Sequence, residues 1–247
     1  MQKYNLGFIS DDDLFAHVKE TVEKYRFKID LKKFNKNLID PIKLTFDSKI
    51  YDKSIKEIIE SEIIRQMDKS NTNHIGYFHQ NIFKYINSSW RVPKEGFDLI
   101  NEEEKIYVEM KNKHNTMNSS SSQKTYIKMQ GMLLKNAQNR CFLVEVIAKN
   151  SQNISWKISL DGNSHEHEYI RRVSIDKFYE LVTGKIDSFK KLCEVLPVVL
   201  DDVVASMTKG RVENTVYEEL SEISPDLLQS LYLLSFSKYE GFDSFQI

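Results

Sequence analysis

Two short apolar runs flank a charged segment between residues 97 and 111. The first apolar run, at 97–100, carries an acid in its middle, and the second, at 106–111, carries an acid and a lysine two positions apart. A charged segment at 101–105 joins the two runs. Because a period of two is typical of strands and the joining segment is short, this pattern predicts a β-hairpin.

The two strands of this hairpin bring three charged side chains together at one end of a sheet. Residues two apart in a strand share a face, so Glu109 and Lys111 point the same way, while Val108 and Met110 point into a core. Asp98 lies on the neighbouring strand, near the same end. The hairpin is therefore the first place to look for chemistry.

Helical periodicity precedes the hairpin. Apolar residues spaced three and four apart predict helices over 10–27, 54–68 and 74–87. Ser54, with Glu57 three positions later, forms a capping box at the start of the second helix. The polar residues at 69–73 are expected to separate the second helix from the third.

After the hairpin the pattern becomes helical again and then strongly apolar. A helix begins near Gln123, and its lysines Lys124, Lys128 and Lys135 lie mostly outside the apolar face. The nearly continuous apolar run at 141–148 predicts a buried strand that is parallel to a strand of the hairpin.

The last third of the chain begins with strands and ends with helices. Strands are expected at 154–160 and 168–173 with a turn at 161–163, followed by a helix over 174–183 that ends at Gly184. The region 186–236 is mostly helical, with breaks expected at Pro197, near Gly210 and at Ser224-Pro225.

The order of these elements predicts an α/β fold, with a mixed central sheet flanked by helices and with additional N- and C-terminal helices. We expect a single domain over 1–247. Its parts are an N-terminal helical part at 1–70, a core with the candidate catalytic residues at 74–150, and C-terminal strands and helices at 151–247.

Composition adds an expectation about location. The chain of 247 residues is 40% hydrophobic and 29% charged, which is typical of a folded globular protein. No apolar run approaches the roughly 18 residues of a membrane span, and the first residues do not resemble a signal peptide. Two isolated cysteines, Cys141 and Cys193, predict neither a disulfide framework nor a zinc site. We therefore expect a bacterial cytoplasmic protein with no membrane partner.

The distribution of charge is more informative than its sum, which is −1. Residues 105–140 carry a net charge of +6, and residues 194–226 carry −6. A basic zone around the hairpin favours a polyanion as partner, although a chance fluctuation of surface charge gives the same pattern.

The residue types at the hairpin suit a divalent metal ion and a phosphate. Asp98 and Glu109 supply the hard oxygen ligands that Mg²⁺ prefers. Such an ion activates water and neutralises charge on a phosphate, and Lys111 can orient or deprotonate that water or stabilise the phosphate. The alternative is a structural ion pair between Glu109 and Lys111, since many surface hairpins carry such residues.

Glu62 is a second candidate because of its position. It falls in the middle of the apolar face of the helix over 54–68, where a carboxylate needs a partner such as a metal ion, a lysine or hydrogen bonds. The alternative is that Glu62 lies at the rim of the core with its carboxylate in solvent, or that it pairs with a surface base.

The segment after the hairpin, at 114–122, is polar and rich in serine. It begins next to Glu109 and Lys111, and lysines flank it. Asparagine, serine and lysine side chains contact phosphates and base edges, so we favour contact with nucleic acid over a plain linker.

Several stretches resemble the type II restriction endonucleases with a PD-(D/E)xK core. They are IGYFHQNIFKYI, GFDLIN, VEMKNKHNTMNSSS, KTYIKMQ and RRVSIDKFYELVTG, which together span most of residues 74–200. These stretches look in particular like the family that cuts the interrupted palindrome GGNCC. One departure is Phe97, which stands where the motif has proline.

The resemblance implies a PD-(D/E)xK restriction-endonuclease-like core and Mg²⁺-dependent cleavage of double-stranded DNA that leaves 5′-phosphates and 3′-hydroxyls. Asp98 and Glu109 match the metal-binding acids, and Lys111 matches the catalytic lysine. The carbonyl of Met110 is a further candidate ligand, and Glu62 is a candidate addition to the site.

The resemblance also implies partners. A symmetric recognition sequence implies a homodimer, and a cognate DNA methyltransferase would protect the host sequence. Candidate DNA-binding residues are Lys113, Asn115, Asn118, Ser119, Ser120, Lys124, Tyr126, Arg171 and Arg172.

Two alternatives stay open at this point. One is a nuclease of the same core in DNA repair or mobile-element defence, and the other is a non-catalytic nucleic-acid-binding protein on the same fold. The presence of all three of Asp98, Glu109 and Lys111 disfavours the second alternative.

Overall fold

The computed structural model describes residues 3–114, 116–207, 213–239, 242 and 245–246. Two compact units make up the chain. Unit 1 comprises Met1–Glu23 and Ile75–Thr208, and unit 2 comprises Lys24–His74 and Lys209–Ile247. The hairpin with Asp98, Glu109 and Lys111 belongs to unit 1.

The helices follow one another along the chain in this order. They are α1 (Asp11–Glu23), α2 (Leu31–Asn35), α3 (Pro41–Ile50), α4 (Ile55–Asn81), α5 (Phe83–Ile86), α6 (Ser119–Lys135), α7 (Ile175–Thr183), α8 (Ser188–Ser206), α9 (Val216–Ile223) and α10 (Leu227–Phe236).

The strands are mostly short, with two longer ones in the centre of a sheet. They are β1 (Lys28–Ile29), β2 (Trp90–Arg91), β3 (Leu99–Asn101), β4 (Ile106–Lys113), β5 (Arg140–Ile147), β6 (Asn153–Ser155), β7 (Ile158–Leu160), β8 (Asn163–His165), β9 (Ile170–Ser174) and β10 (Glu213–Asn214).

The main sheet of unit 1 has the order β2-β3-β4-β5-β9-β6. β3 and β4 are antiparallel, with Leu99 opposite Val108, which confirms the predicted hairpin. β5 runs parallel to β4 and β9 runs parallel to β5, so the sheet is mixed, as predicted. This arrangement places the ends of β4, β5 and β9 at one edge.

The two faces of this sheet bury different helices. On one face, Val108 and Val144 pack with α1, α7 and α8 in a cluster that also contains Phe178. On the other face, Cys141 and Leu143 pack with α6 and with Trp156. The expected α/β architecture of a mixed sheet flanked by helices is therefore confirmed.

The alternation of apolar and charged side chains along β4 determines which face of the strand is buried. Val108 is fully buried and Met110 is 6% exposed, whereas Glu109 and Lys111 are partly exposed on the opposite face. Burying the apolar set fixes the register of the strand, because a slip of one residue would exchange the two faces. The charged pair is thus held outside the apolar core.

Several predicted helix ends are confirmed. Ser54 and Glu57 form the capping box, with the Ser54 hydroxyl donating to the Glu57 carboxylate at 2.7 Å. α7 ends at Gly184, whose φ of 70° suits a residue without a side chain. α9 ends at Ile223, one residue before the predicted break at Ser224-Pro225.

Two predicted helix breaks are wrong. α4 runs through 69–73 without interruption, because that segment is polar but contains no proline or glycine to end a helix. α8 continues through Pro197, since the burial of Leu192 and Val199 stabilises the helix on both sides of it. The break predicted near Gly210 lies outside the described residues.

The strand predicted over 154–160 is two strands, β6 and β7. β6 pairs with β9, and β7 pairs with β8 across a tight turn. Trp156 lies between β6 and β7 and is 3% exposed, so the chain changes partner strand where this large side chain is buried. The predicted turn is confirmed by positive φ angles at Asp161 and Gly162.

Unit 2 has its own core. β1 pairs in parallel with β10, α2 contacts α9, and α3 contacts α10. The buried side chains of this core include Phe34, Ile59 and Leu220.

The division into two units differs from the single domain expected over 1–247. α1 contacts α8 in unit 1, whereas the C-terminal helices α9 and α10 contact segments from residues 24–74. Each unit is therefore built from segments that are distant in sequence, which a division by position along the chain does not anticipate. Among the described residues, no helix is long and apolar enough to cross a membrane.

Candidate active site

Asp98 and Glu109 are positioned by the hydrogen bonds of the hairpin. The amide of Asp98 donates to the carbonyl of Val108 at 2.9 Å, and the amide of Met110 donates to Asp98 Oδ2 at 2.8 Å. The first bond fixes the backbone of Asp98 beside β4. The second fixes its carboxylate beside the residue that follows Glu109, so the two acids are neighbours across the strands.

Two ammonium groups hold the carboxylate of Glu109. Lys111 Nζ lies 2.8 Å from Glu109 Oε1, and Lys128 Nζ lies 2.7 Å from Glu109 Oε2. Lys111 comes from the same strand, whereas Lys128 comes from α6, which covers this face of the sheet. The ion pair between Glu109 and Lys111 that was considered as an alternative is present, within a larger cluster of charges.

The two acids have opposite pKa shifts. Burial, together with the charge of Glu109, raises the pKa of Asp98 above its ordinary value. Burial also raises the pKa of Glu109, but the hydrogen bonds from Lys111 and Lys128 outweigh it, so this pKa is lowered. Asp98 is therefore the carboxylate whose charge is less well compensated.

Lys128 is a site residue that sequence reasoning missed. The helical pattern placed it outside the apolar face of α6, and the structure places it against the acids of the hairpin. The feature of the sequence that could have identified it is its spacing of four residues from Lys124. This spacing puts both lysines on one side of the helix that follows the strand of Glu109.

Phe97, which stands in place of the proline of the motif, builds the wall of the site. Its side chain is 8% exposed, and its ring centroid lies 5.5 Å from that of Tyr107. An aromatic wall excludes water from one side of the charged cluster, which strengthens the electrostatic interactions inside it.

A second charged cluster lies on the same face, at the adjacent ends of β5 and β9. Glu145 is the register partner of Lys111 and is 2% exposed. It forms an ion pair with Arg172, and Nδ1 of His114 lies 3.0 Å from its Oε1. Removing Arg172 would leave the buried carboxylate of Glu145 without its ion-pair partner, which costs about 3–5 kcal/mol for a buried pair.

Glu145 and His114 were also missed from the sequence. Glu145 is the acid in an otherwise apolar strand, and that interruption was the signal that could have identified it. His114 follows β4 directly, but its proximity to Glu145 depends on the parallel pairing of β4 with β5, which spacing along the chain does not show.

Two clefts open beside these clusters, and Lys111 lines both. The larger has a volume of about 530 Å³ and the other about 470 Å³. The larger is lined by Lys111, Lys113, Thr116, Met117, Ser119, Ser122, Gln123, Glu145, Trp156, Lys157, Ile158, Ser159 and Arg172. The smaller is lined by Glu109, Lys111, Thr116, Met117, Ser121, Lys124, Thr125 and Lys128.

Several predicted DNA-binding residues are brought to these clefts. Lys113, Ser119 and Arg172 line the larger cleft, and Lys124 lines the smaller one. Ser120 is exposed on the first turn of α6. The lysines give both clefts an excess of positive charge, which suits a polyanion.

Two other predicted DNA-binding residues, Tyr126 and Arg171, do not line these two clefts and have partners within the protein. Tyr126 is fully buried, with its ring 5.3 Å from that of Trp156, so its assignment to DNA contact is corrected to a core role. Arg171 points to the opposite face of the sheet from Arg172 and donates to Asn153. Asn115 lies outside the described residues.

Asn118 has a clear local role. It is the N-cap of α6, and its Oδ1 accepts a hydrogen bond from the amide of Ser121 at 2.8 Å. The side chain that was expected to contact DNA therefore starts the helix that carries Lys124 and Lys128.

Glu62 is not among the residues that the structure brings together with Asp98. It belongs to unit 2, where both of its oxygens accept hydrogen bonds from Arg65 at 2.6 Å and one accepts from Gln66 at 2.9 Å. Burial raises its pKa, but these hydrogen bonds outweigh that effect and lower it. The alternative of an ion pair with a base is the one that the structure favours.

The acid pair fits a small divalent cation that keeps several water ligands. The raised pKa of Asp98 reflects burial and repulsion from Glu109, which a cation between the two carboxylates would relieve. In the part of the chain that is described, no group of three or more His, Cys, Asp or Glu side chains is placed to hold a metal. The residues that could hold such an ion here are the two carboxylates, with the Met110 carbonyl as a candidate third ligand.

Comparisons with known proteins cover most of the chain. The sequence profile of the family described as Eco47II restriction endonuclease matches residues 6–205. The type II restriction enzyme Sau96I of Staphylococcus aureus is 34% identical over 209 residues, which are 80% of this chain and 80% of that protein. The type II restriction enzyme Eco47II of Escherichia coli is 31% identical over 213 residues, which are 81% of this chain and 88% of that protein.

Proposed function

The chain belongs to the Eco47II restriction endonuclease family and is a type II restriction endonuclease; on that premise, we propose that it hydrolyses double-stranded DNA at GGNCC, depends on Mg²⁺ and leaves 5′-phosphates. The observation that carries the chemistry is the placement of Asp98, directly before β3, beside Glu109 of β4, with Lys111 Nζ 2.8 Å from Glu109. The resemblance of the stretches at 96–101 and 108–121 to the family that cuts GGNCC supports the sequence preference.

Each residue of the proposed site has a role that its position supports. Asp98 and Glu109 would hold the ion, with the Met110 carbonyl as a further ligand. A bound Mg²⁺ supplies Lewis-acid stabilisation of the phosphate and activation of water. Lys111 lines both clefts, which supports a role in which its ammonium would orient the attacking water and stabilise charge on the phosphate.

We assign DNA contacts to the residues that line the clefts. Lys113, Lys124 and Arg172 are the candidates for phosphates or for the O6 and N7 atoms of guanine, and Ser119 is a candidate for either. Arg172 is held by Glu145, so its guanidinium is pre-oriented before DNA binds.

A palindromic target favours a homodimer, in which each protomer cuts one strand. A cognate methyltransferase acting on the same sequence would protect the host chromosome. Both proteins would then work in the bacterial cytoplasm, where incoming DNA is exposed to cleavage.

Digestion of unmethylated phage DNA by the purified protein in Mg²⁺ tests this proposal. The expected result is a set of discrete fragments whose sequenced ends fall at GGNCC. The control is the same DNA after methylation of that sequence, which should resist cleavage. Fragments that end at another sequence would contradict the specificity, and a continuous smear would favour the nuclease role in repair or mobile-element defence.

A further inference from the structure

Lys128 is anchored at three points, which is unusual for a lysine at the protein surface. Its Nζ lies 2.7 Å from Glu109 Oε2 and 2.9 Å from the carbonyl oxygen of Gly96, and it lies 4.1 Å from the centroid of the Phe97 ring. A carboxylate, a carbonyl and an aromatic face are three groups that attract a cation. The ammonium therefore occupies a site built for positive charge.

This cation site lies beside Glu109 and beside the segment that leads to Asp98. Glu109 provides one partner of Lys128, and Gly96 lies two residues before Asp98, on the chain segment that carries the other acid. Lys111 binds the remaining oxygen of Glu109. Both oxygens of Glu109 thus have ammonium partners, so a cation shared with Asp98 would meet the positive charge of an ammonium already there, and this repulsion favours the displacement of one ammonium.

Lys128 has room to move away from Glu109. Its ammonium bonds both Glu109 Oε2 and the carbonyl of Gly96, two residues before Asp98, so it lies beside the segment that carries the second acid. Its side chain is 34% exposed and lines the cleft of about 470 Å³ together with Lys124, one helical turn away. The ammonium has room to turn into that cleft without disturbing the apolar side of α6.

We infer that Lys128 is the resident counter-ion of the acid pair, that it yields Glu109 Oε2 to the divalent ion, and that a DNA phosphate in the smaller cleft then takes its ammonium. This inference rests on the proposed metal-dependent cleavage of DNA. Lys128 opposes metal binding when DNA is absent and assists cleavage when DNA is present. A lysine that only supported the fold of the site would assist both metal binding and cleavage.

Titration of the metal-free, full-length protein with Mn²⁺ in the calorimeter, without DNA, tests the inference. We expect Lys128→Met to bind Mn²⁺ about fivefold more tightly than the wild type, since about 1 kcal/mol of competition from an ion pair is removed. The same variant should cleave DNA more slowly. Lys124→Met, in the same cleft but without a bond to Glu109, should leave the Mn²⁺ affinity unchanged.

The outcomes separate this inference from the proposed function. Unchanged or weaker Mn²⁺ binding by Lys128→Met, with a wild-type melting temperature, overturns the role of Lys128. The proposed metal site still stands in that case if Asp98→Asn loses Mn²⁺ binding. Wild-type Mn²⁺ binding by Asp98→Asn overturns both. Lys128→Gln serves as the second variant, since it keeps a polar group should the methionine destabilise the fold.

Discussion

Asp98 and Glu109 are neighbours with similar burial, yet their carboxylates have different electrostatic surroundings. Two lysines compensate Glu109, whereas Asp98 has one backbone hydrogen bond from Met110 and lies beside the charge of Glu109. Without a metal ion, the charge of Asp98 therefore opposes folding and that of Glu109 supports it. A carboxylate whose pKa is raised by burial and by a neighbouring charge is typical of functional sites.

Substituting the two acids should change stability in opposite directions. A raised folded pKa means that Asp98 destabilises the protein increasingly as the pH rises from its ordinary pKa through the folded value. Asp98→Asn should therefore melt at a higher temperature than the wild type at pH 7 in EDTA. Glu109 has a lowered pKa, so its stabilisation is present at pH 7 and is lost as the pH falls, and Glu109→Gln should melt at a lower temperature.

Melting curves at pH 7 and near pH 4.5 check both directions, because the advantage of Asp98→Asn should shrink at the lower pH. The prediction fails if Asp98→Asn is the less stable protein at pH 7. Excess EDTA throughout is the necessary control, since a bound cation would stabilise the wild type and reverse the comparison.

The sequence predicted that Asp98, Glu109 and Lys111 lie together, as they do in the structure, but it did not predict their surroundings. The alternation of β4 sufficed to put Glu109 and Lys111 on one face, because a local period sets that geometry. Lys128, Glu145 and Arg172 reach the site through the packing of α6 and the parallel pairing of β5 with β9, which local patterns do not encode. Their partners could be found only from the tertiary structure.

At the scale of elements, α6 links the fold to the chemistry. Asn118 caps its first turn, Tyr126 and Met129 bury its apolar side, and Lys124 and Lys128 line the smaller cleft together with Glu109. The position at which this helix starts therefore determines where the ammonium groups of Lys124 and Lys128 lie.

Removal of the cap should weaken the protein measurably. Asn118→Ala loses the hydrogen bond to the Ser121 amide and should cost about 1 kcal/mol, or about 2–4 °C in melting temperature. Asn118→Asp is the matched control, since aspartate caps a helix equally well. Equal stability of the alanine variant and the wild type would show that the cap contributes nothing.

Elements were predicted well where their signals are local and less well where they depend on packing. The hairpin, the capping box at Ser54 and the end of α7 at Gly184 each rest on a few adjacent residues. The continuity of α4 through 69–73 and of α8 through Pro197 rests on contacts with other elements. Tertiary packing overrides weak local preferences at such points.

The whole molecule is expected to act as a pair of chains on DNA. With a mass of 29.0 kDa per chain, the proposed homodimer predicts that light scattering of the complex with a duplex containing one GGNCC site gives the mass of two chains plus that of the duplex. A complex that contains a single chain and still cuts both strands in one binding event would contradict the dimer.

The most direct test is the cleavage of a short duplex with one GGNCC site by the wild type, Asp98→Asn and Lys111→Met. We predict that the wild type cuts both strands in Mg²⁺, leaves 5′-phosphates and is inactive in EDTA. Both variants should fold and bind the duplex but cut at least about a hundredfold more slowly, because each loses a group that acts on the phosphate or its metal. Lys135→Met, an exposed lysine on α6, should cut at the wild-type rate. Wild-type cleavage by Asp98→Asn or Lys111→Met would contradict the assignment of the active site.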